Sequence, residues 1–149
     1  MAGVDVLTDV VIDRPVAEVA GYAADPSHAP DWYVNIRSVD WETEPPVTTG
    51  SRMAFVASFL GRRLAYTYEV VEFDPGHRLV MTTAQGPFPM ETTYTWTAEG
   101  DGRTRMTLRN RGEPRGFAKV GAPVMAASMR RANRADLDRL KALLEAGSD

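Results

Sequence analysis

Near its start the chain alternates between mostly apolar and mostly polar side chains. Val4, Val6, Thr8, Val10 and Ile12 recur at every second position, with mostly polar residues between them. This period of two predicts a half-buried β-strand at the start of the chain.

Two short helical segments are predicted next. Residues 13–15 are typical of a helix start, with Asp13 or a neighbour as the cap and Pro15 at the first helical position. Asp25-Pro26 ends this helix, and residues 29–33 are expected to form a second short helix or a turn.

From Ile36 to Asn110 nearly all of the chain has strand character. The predicted strands cover residues 36–44, 51–60, 62–73, 78–85, 89–98 and 103–111, separated by breaks rich in Pro and Gly. Short connections require neighbouring strands to be antiparallel, so the pattern predicts a meander.

The last predicted element is a long helix that ends at Glu145, before Gly147. Its apolar positions recur at steps of three and four residues: Met125, Met129, Leu137, Leu140 and Leu144. Pro123 either begins this helix or kinks a longer one that starts near Phe117, and the sequence leaves both alternatives open.

One helix cannot cover both faces of so long a sheet, so the sheet must curl around it. The predicted fold class is therefore α+β, with a curved antiparallel sheet of about seven strands around the C-terminal helix, in a single domain over residues 1–149. Where side chains do not fill the space between sheet and helix, a cavity for a ligand remains.

Composition removes several kinds of chemistry. The chain has no cysteine, and its two histidines, His28 and His77, are far apart without a paired carboxylate motif, so neither a metal site nor a cofactor is expected. No apolar run approaches the roughly 20 residues that cross a bilayer, and the first residues lack a leader pattern. We therefore expect no membrane span and a cytoplasmic protein.

The net charge of −3 conceals an asymmetry, because residues 1–50 hold nine acidic and two basic groups. The remaining basic residues include two clusters, which favour a solvated face over a nucleic-acid surface. Nucleic acid is not an expected partner, and the sequence leaves a homodimer open.

The order of elements resembles the START-related, or SRPBCC, superfamily of polyketide cyclases/dehydrases and birch-pollen allergens. The resemblance covers essentially the whole chain, and its local matches lie at residues 11–19, 30–32, 68–79 and 137–145. It implies a helix-grip fold with a hydrophobic pocket. Family members bind lipids, hormones or polyketides, and some catalyse cyclisation, dehydration or hydrolysis without a cofactor, so the resemblance implies a pocket rather than a particular reaction.

The predicted strand 89–98 places Met90, Thr92, Tyr94 and Trp96 on one face, which should point toward the long helix. Tyr94 and Trp96 are the better candidates for a pocket wall, because each carries a polar group on an apolar body. Plain core packing is the alternative for every member of this stripe.

Strand 62–73 admits two phases. In the first, Tyr66 and Tyr68 line the pocket; in the second, Glu69 becomes a buried carboxylate with a raised pKa. We favour the first, because burying an unpaired charge is costly. The doublet Val70-Val71 suggests a bulge that shifts the face.

Trp32 and Tyr33 lie where the short helices meet the sheet, the usual pocket mouth in the superfamily. The resemblance to aromatic polyketide cyclases makes Tyr33 a candidate catalytic acid that protonates an enolising carbonyl. Alternatively, both rings fasten the short helices to the sheet. His28, in the same loop, is a weaker candidate.

Asn133 interrupts the apolar stripe of the long helix and places an amide on its inward face, where ligand groups or backbone must satisfy it. Flexible methionines give the cavity adaptable apolar walls, or serve as core filler. The further candidate ligand contacts are Met81, Met90, Met125, Met129 and Phe117.

Two functions therefore compete. The first is binding of a hydrophobic or aromatic small molecule, polyketide-like or lipid-like, in the cavity. The second is a cofactor-independent polyketide cyclase, aromatase or dehydratase that acts in the same pocket.

Overall fold

The structure is a computed structural model that describes residues 4–59, 61–86, 89–113 and 121–146. Its strands are β1 Val4–Ile12, β2 Ile36–Trp41, β3 Arg52–Phe59, β4 Arg62–Asp74, β5 Arg78–Gln85, β6 Met90–Ala98 and β7 Thr104–Gly112. Its helices are α1 Val16–Ala23, α2 Ala29–Trp32 and α3 Ala122–Ala146, with a 3₁₀ turn at Pro26–His28 before α2.

The seven strands form one antiparallel sheet in the order β1-β7-β6-β5-β4-β3-β2. Consecutive strands from β2 to β7 are neighbours, and β1 closes the far edge by pairing with β7 from Val4↔Gly112 to Ile12↔Thr104. The curled sheet wraps α3, which packs on β1, and this arrangement is the predicted helix-grip fold.

The apolar stripe of α3 is buried against the sheet, as its spacing predicts. Leu137 and Leu140 are fully buried, and Leu144 is nearly so. Lys141 donates a hydrogen bond to the carbonyl of Val11 at 2.9 Å, and Arg14 donates to the carbonyl of Glu145 at 2.7 Å. These bonds fix the end of the helix to the junction of β1 and α1.

The predicted start of α1 needs correction. Pro15 occupies the N-cap position in an extended conformation, and none of the described side chains caps the helix. Asp13 instead uses its backbone N–H, which donates to the Glu145 carboxylate at 2.8 Å. This bond joins the segment before α1 to the end of the C-terminal helix.

At the other helix, α3 begins at Ala122, so Pro123 lies in the first turn, where a missing N–H breaks no helical hydrogen bond. Residues 114–120 lie outside the described residues, and Phe117 lies there with them. The strand predicted over 36–44 is shorter and ends at Trp41, ahead of Pro45-Pro46.

Candidate functional site

A cavity of about 150 Å³ lies between the inner face of the sheet and α3. The end of α1, the 3₁₀ turn and α2 cover one side of it through Ala23, Ala24, Pro26, Ala29 and Tyr33. The sheet contributes mostly large apolar and aromatic side chains: Ile36, Phe55, Phe59, Leu64, Tyr66, Tyr68, Leu79, Met81, Met90 and Tyr94. The helix contributes Met129, Ala132, Asn133 and Asp136.

The phase of β4 places two tyrosines in this wall. Leu64, Tyr68 and Val70 are buried, and Tyr66 is partly buried with them. The pairing with β5 shifts register between Val70 and Glu72, so the predicted bulge is present and turns Val71 outward. The phase favoured from the sequence is therefore the one the chain adopts.

Glu69 accordingly points away from the cavity. Its carboxylate pairs with Arg52 at 3.1 Å on the outer face, where both side chains are exposed. It is not available as a buried acid.

The aromatic side chains of the wall contact one another. The rings of Tyr66 and Tyr68 lie 5.1 Å apart between centroids, and Phe55 lies 5.6 Å from Tyr66. Such spacings are favourable for edge-to-face and offset aromatic pairs, so the wall is a packed surface rather than a loose one.

Tyr33 and Tyr94 share a hydrogen bond across the cavity wall, with their hydroxyl oxygens 2.5 Å apart. Burial raises the pKa of both phenols well above the usual value. Both therefore remain protonated at neutral pH.

A second hydrogen-bonded chain lies on the sheet side. The Tyr68 hydroxyl is 2.8 Å from Thr92 Oγ1, which donates to Asn110 Oδ1 at 2.6 Å. Burial raises the pKa of Tyr68 to about 12, although the hydrogen bond with Thr92 opposes the shift. These three polar groups satisfy one another.

Asp136 is the acid of the cavity, and sequence reasoning missed it. Its side chain is 2% exposed, and Oδ1 accepts a hydrogen bond from the Val34 N–H at 2.9 Å. Burial raises the pKa of Asp136 to about 7, because loss of water disfavours the charged form more than the single backbone bond favours it.

A pattern in the sequence could have revealed this residue. Asp136 lies three residues after Asn133 and four before Leu140, which places it on the inward stripe of α3. Its neighbours Arg134, Asp138 and Arg139 made it resemble part of a solvated face.

Asn133 lies in the cavity lining, as expected from its interruption of the apolar stripe. It is 4% exposed, and its Nδ2 group has no hydrogen-bond partner among the described residues. Buried amides ordinarily find partners, so this atom is an unsatisfied donor on a residue that lines the cavity.

Most of the predicted contact residues meet in this one place. The cavity lining includes Tyr33, Tyr66, Tyr68, Met81, Met90, Tyr94, Met129 and Asn133. The residues that line it but were not named as candidates include Phe55, Thr92, Asn110 and Asp136.

Trp32, Trp96 and Met125, also predicted as ligand contacts, are not among the described residues that line this cavity. Trp32 is fully buried beneath Tyr33 and Tyr94, with ring centroids 4.2 and 5.7 Å away, and fastens α2 to the sheet. Trp96 lies two residues beyond Tyr94 on β6 and packs in the core behind it. Met125 lies one turn before Met129 and packs with it, Val4, Val6 and Leu64 in a second apolar cluster.

His28 also lies away from the lining. Its ring stacks on Tyr22 at 4.0 Å, and Nδ1 lies 2.9 Å from the Tyr22 carbonyl. Across the described ranges, no group of three His, Asp or Glu side chains is placed to hold a metal ion. None of the helices described here has the length and apolar character needed to span a bilayer.

Sheet, helix and the cavity between them together define a helix-grip protein with a ligand-sized space. The family model described as polyketide cyclase/dehydrase and lipid transport matches residues 4–145. The chain therefore belongs to that family, as the sequence resemblance indicated.

Solved structures show the same fold at low sequence identity. A protein from Thermus thermophilus has a TM-score of 0.82 at 21% identity, covering 97% of this chain and 99% of that one. The Zhui aromatase/cyclase of Streptomyces sp. R1128 has a TM-score of 0.79 at 17% identity, covering 99% of both chains.

A START superfamily protein of Mycobacterium smegmatis has a TM-score of 0.83 at 14% identity, covering 97% of this chain and 99% of that one. At these identities the likeness concerns the fold alone. No curated protein matches the sequence.

Proposed function

We propose that this protein binds a small hydrophobic molecule in the cavity between the sheet and α3. The observation that carries the proposal is an unfilled space of about 150 Å³ whose walls are mainly apolar and aromatic. Sites for small molecules are typically concave and lined mainly by apolar and aromatic side chains with a few polar groups, which describes this space.

The volume limits the size of that occupant. Sites for drug-sized ligands occupy about 300–1,000 Å³, whereas an apolar cavity of about 150 Å³ holds a molecule such as benzene. The proposed ligand is therefore about one aromatic ring in size. A full-length polyketide chain would require the cavity to open.

Filling the cavity tests the proposal. Ala57 lies on β3, is 7% exposed and lines the space. Ala57→Phe should abolish binding of single-ring compounds while the far-UV circular dichroism stays native. Ala65→Phe, on an exposed position of the next strand, is the matched control and should bind as the wild type does. Equal binding by all three proteins would contradict the proposal.

A second candidate is cofactor-independent cyclisation or dehydration in the same cavity. One observation favours it. Asp136, whose carboxyl group has a pKa of about 7, lines the same space as the hydrogen-bonded hydroxyls of Tyr33 and Tyr94. Asp136 can take or give a proton near neutral pH, while a protonated phenol can donate to a carbonyl oxygen that becomes an enol.

This candidate is tested by turnover of a short β-ketone substrate. Catalysis predicts that Asp136→Asn lowers kcat by about 100-fold or more, the scale of general acid–base catalysis. It predicts a smaller loss for Tyr33→Phe, because Tyr94 keeps a hydroxyl at the same place. If Asp136→Asn turns over the substrate at the wild-type rate, Asp136 has no part in the reaction. If Tyr33→Phe turns over the substrate at the wild-type rate, Tyr33 has no part in it.

A further inference from the structure

The polar atoms at the α3 side of the cavity form an incomplete set of hydrogen bonds. Asn133 Nδ2 is buried, belongs to a lining residue and has no partner among the described residues. By contrast, Tyr68, Thr92 and Asn110 on the sheet side are bonded to one another. Asn133 Nδ2 is therefore the unpartnered buried donor that α3 contributes to the described lining residues.

Asp136 lies about one helical turn after Asn133 and adds a carboxyl group to the polar atoms on this side of the cavity. Residues three apart on a helix lie on the same face, so Asp136 and Asn133 occupy the same face of α3. Val34 satisfies Oδ1 of Asp136. No described side chain donates to Oδ2.

Tyr66 supplies another donor opposite the helix. Its ring lies in the lining, and its hydroxyl has no hydrogen-bond partner among the described residues. Burial raises the pKa of Tyr66, and the nearby charge of Asp136 raises it further, so the phenol remains a donor. The Asn133 amide and the Tyr66 phenol therefore both offer N–H or O–H groups to an occupant.

The charge of the lining also limits which ligands can bind. Within the described part of the chain, the lining contains one carboxylate and no Lys, Arg or His. A carboxylate ligand would lose its water without gaining a cation, and it would lie near Asp136. An uncharged ligand avoids both costs.

We propose that the Asn133 amide and the Tyr66 hydroxyl recognise an uncharged carbonyl oxygen on a single-ring ligand, and that Asp136 excludes carboxylates of the same shape. This inference rests on the proposed binding function and specifies its ligand class. Simple aromatic ketones, aldehydes and esters belong to that class, whereas benzoate-like anions do not.

Four probes of similar shape test it: acetophenone, benzoate, benzylamine and ethylbenzene, titrated at about pH 8.5, above the pKa of Asp136, by calorimetry or ligand-observed NMR. Acetophenone should bind about tenfold tighter than ethylbenzene, the value of one added hydrogen bond, and benzoate should bind more weakly than either. In Asn133→Leu, the preference for acetophenone over ethylbenzene should shrink to the part that the Tyr66 hydroxyl supplies, and in the double variant Asn133→Leu/Tyr66→Phe the two should bind almost equally.

Two further variants keep the test decisive if Asn133→Leu folds poorly. Asp136→Asn retains an acceptor for Val34 and removes the charge, so it should strengthen benzoate binding about tenfold and leave ethylbenzene unchanged. Thr104→Val removes a buried hydrogen bond outside the lining, to the Arg14 carbonyl, and should preserve the wild-type ranking.

The outcomes separate the two proposals. If none of the probes binds, the binding function itself fails. If benzoate binds as tightly as acetophenone, or if benzylamine binds tightest, the cavity binds ligands but the inferred class is wrong. If Asn133→Leu lowers the affinity for acetophenone and for ethylbenzene by the same factor, the amide has no role in recognising the carbonyl oxygen.

Discussion

The hydroxyl groups of Tyr33 and Tyr94 lie 2.5 Å apart, although the two residues are separated by 61 positions in the sequence. Tyr33 follows the last residue of α2, and Tyr94 lies in the middle of β6. The bond therefore joins the short helices to the sheet at the cavity. With Trp32 packed against both rings, it makes the cover of the cavity part of the folded core.

Removing either hydroxyl should reveal the strength of this connection. Tyr33→Phe and Tyr94→Phe should each lower the free energy of unfolding by about 1 kcal/mol, the typical net value of a hydrogen bond. The double variant should lose less than the two single losses combined, because both delete the same bond. Urea denaturation of the four proteins measures this coupling, and strictly additive losses would show that the two hydroxyls do not interact.

Asp136 should make stability fall as the pH rises. Its pKa is about 7 in the folded protein against an ordinary value of 3.8, so the folded state binds the proton more tightly than the unfolded state. The stabilisation that this tighter proton binding gives to the folded state is complete below pH 3.8. It is lost as the pH rises from 3.8 to about 7, and its upper limit is on the order of 4 kcal/mol.

Asp136→Asn isolates this effect from that of the other carboxylates. Asn keeps an acceptor for the Val34 N–H but does not titrate, so the stability of the variant relative to wild type should rise from about pH 4 to about pH 7 and then level off. Chemical denaturation at several pH values measures the difference. A difference that does not change with pH would mean that Asp136 titrates normally.

Thr92 should be costly to replace because it connects two buried groups. Thr92→Val leaves the Tyr68 hydroxyl and Asn110 Oδ1 without this partner, which should destabilise the fold by about 2 kcal/mol. The neighbouring Thr93 is also buried and has no side-chain hydrogen bond among the described residues, so Thr93→Val is a matched control. Equal thermal shifts for the two variants would contradict the importance of the network.

The sequence predicted the elements well because each strand buries one face. Alternation in β1 and β6, and Pro or Gly at the breaks, located all seven strands to within a few residues. The phase of β4 was harder, since the bulge at Val70-Val71 makes both faces apolar in part. It was decided correctly by the cost of burying Glu69.

The site was predicted less completely, because side chains on the same inward face can lie at different depths. Tyr94 and Trp96 share a face of β6, yet only Tyr94 reaches the cavity; Trp96 lies in the core beside it. Asp136 was missed because an acidic residue among charged neighbours is usually solvated. Only the placement of α3 against the sheet shows that it is buried.

The most direct test of the account is a crystal structure of the protein grown with acetophenone. We predict ligand density inside the cavity, with the carbonyl oxygen within hydrogen-bond distance of Asn133 Nδ2 and the ring packed against Tyr66 and Phe55. A cavity that stays empty at saturating ligand, or ligand bound only at the outer surface, would contradict the claim that this space is the binding site.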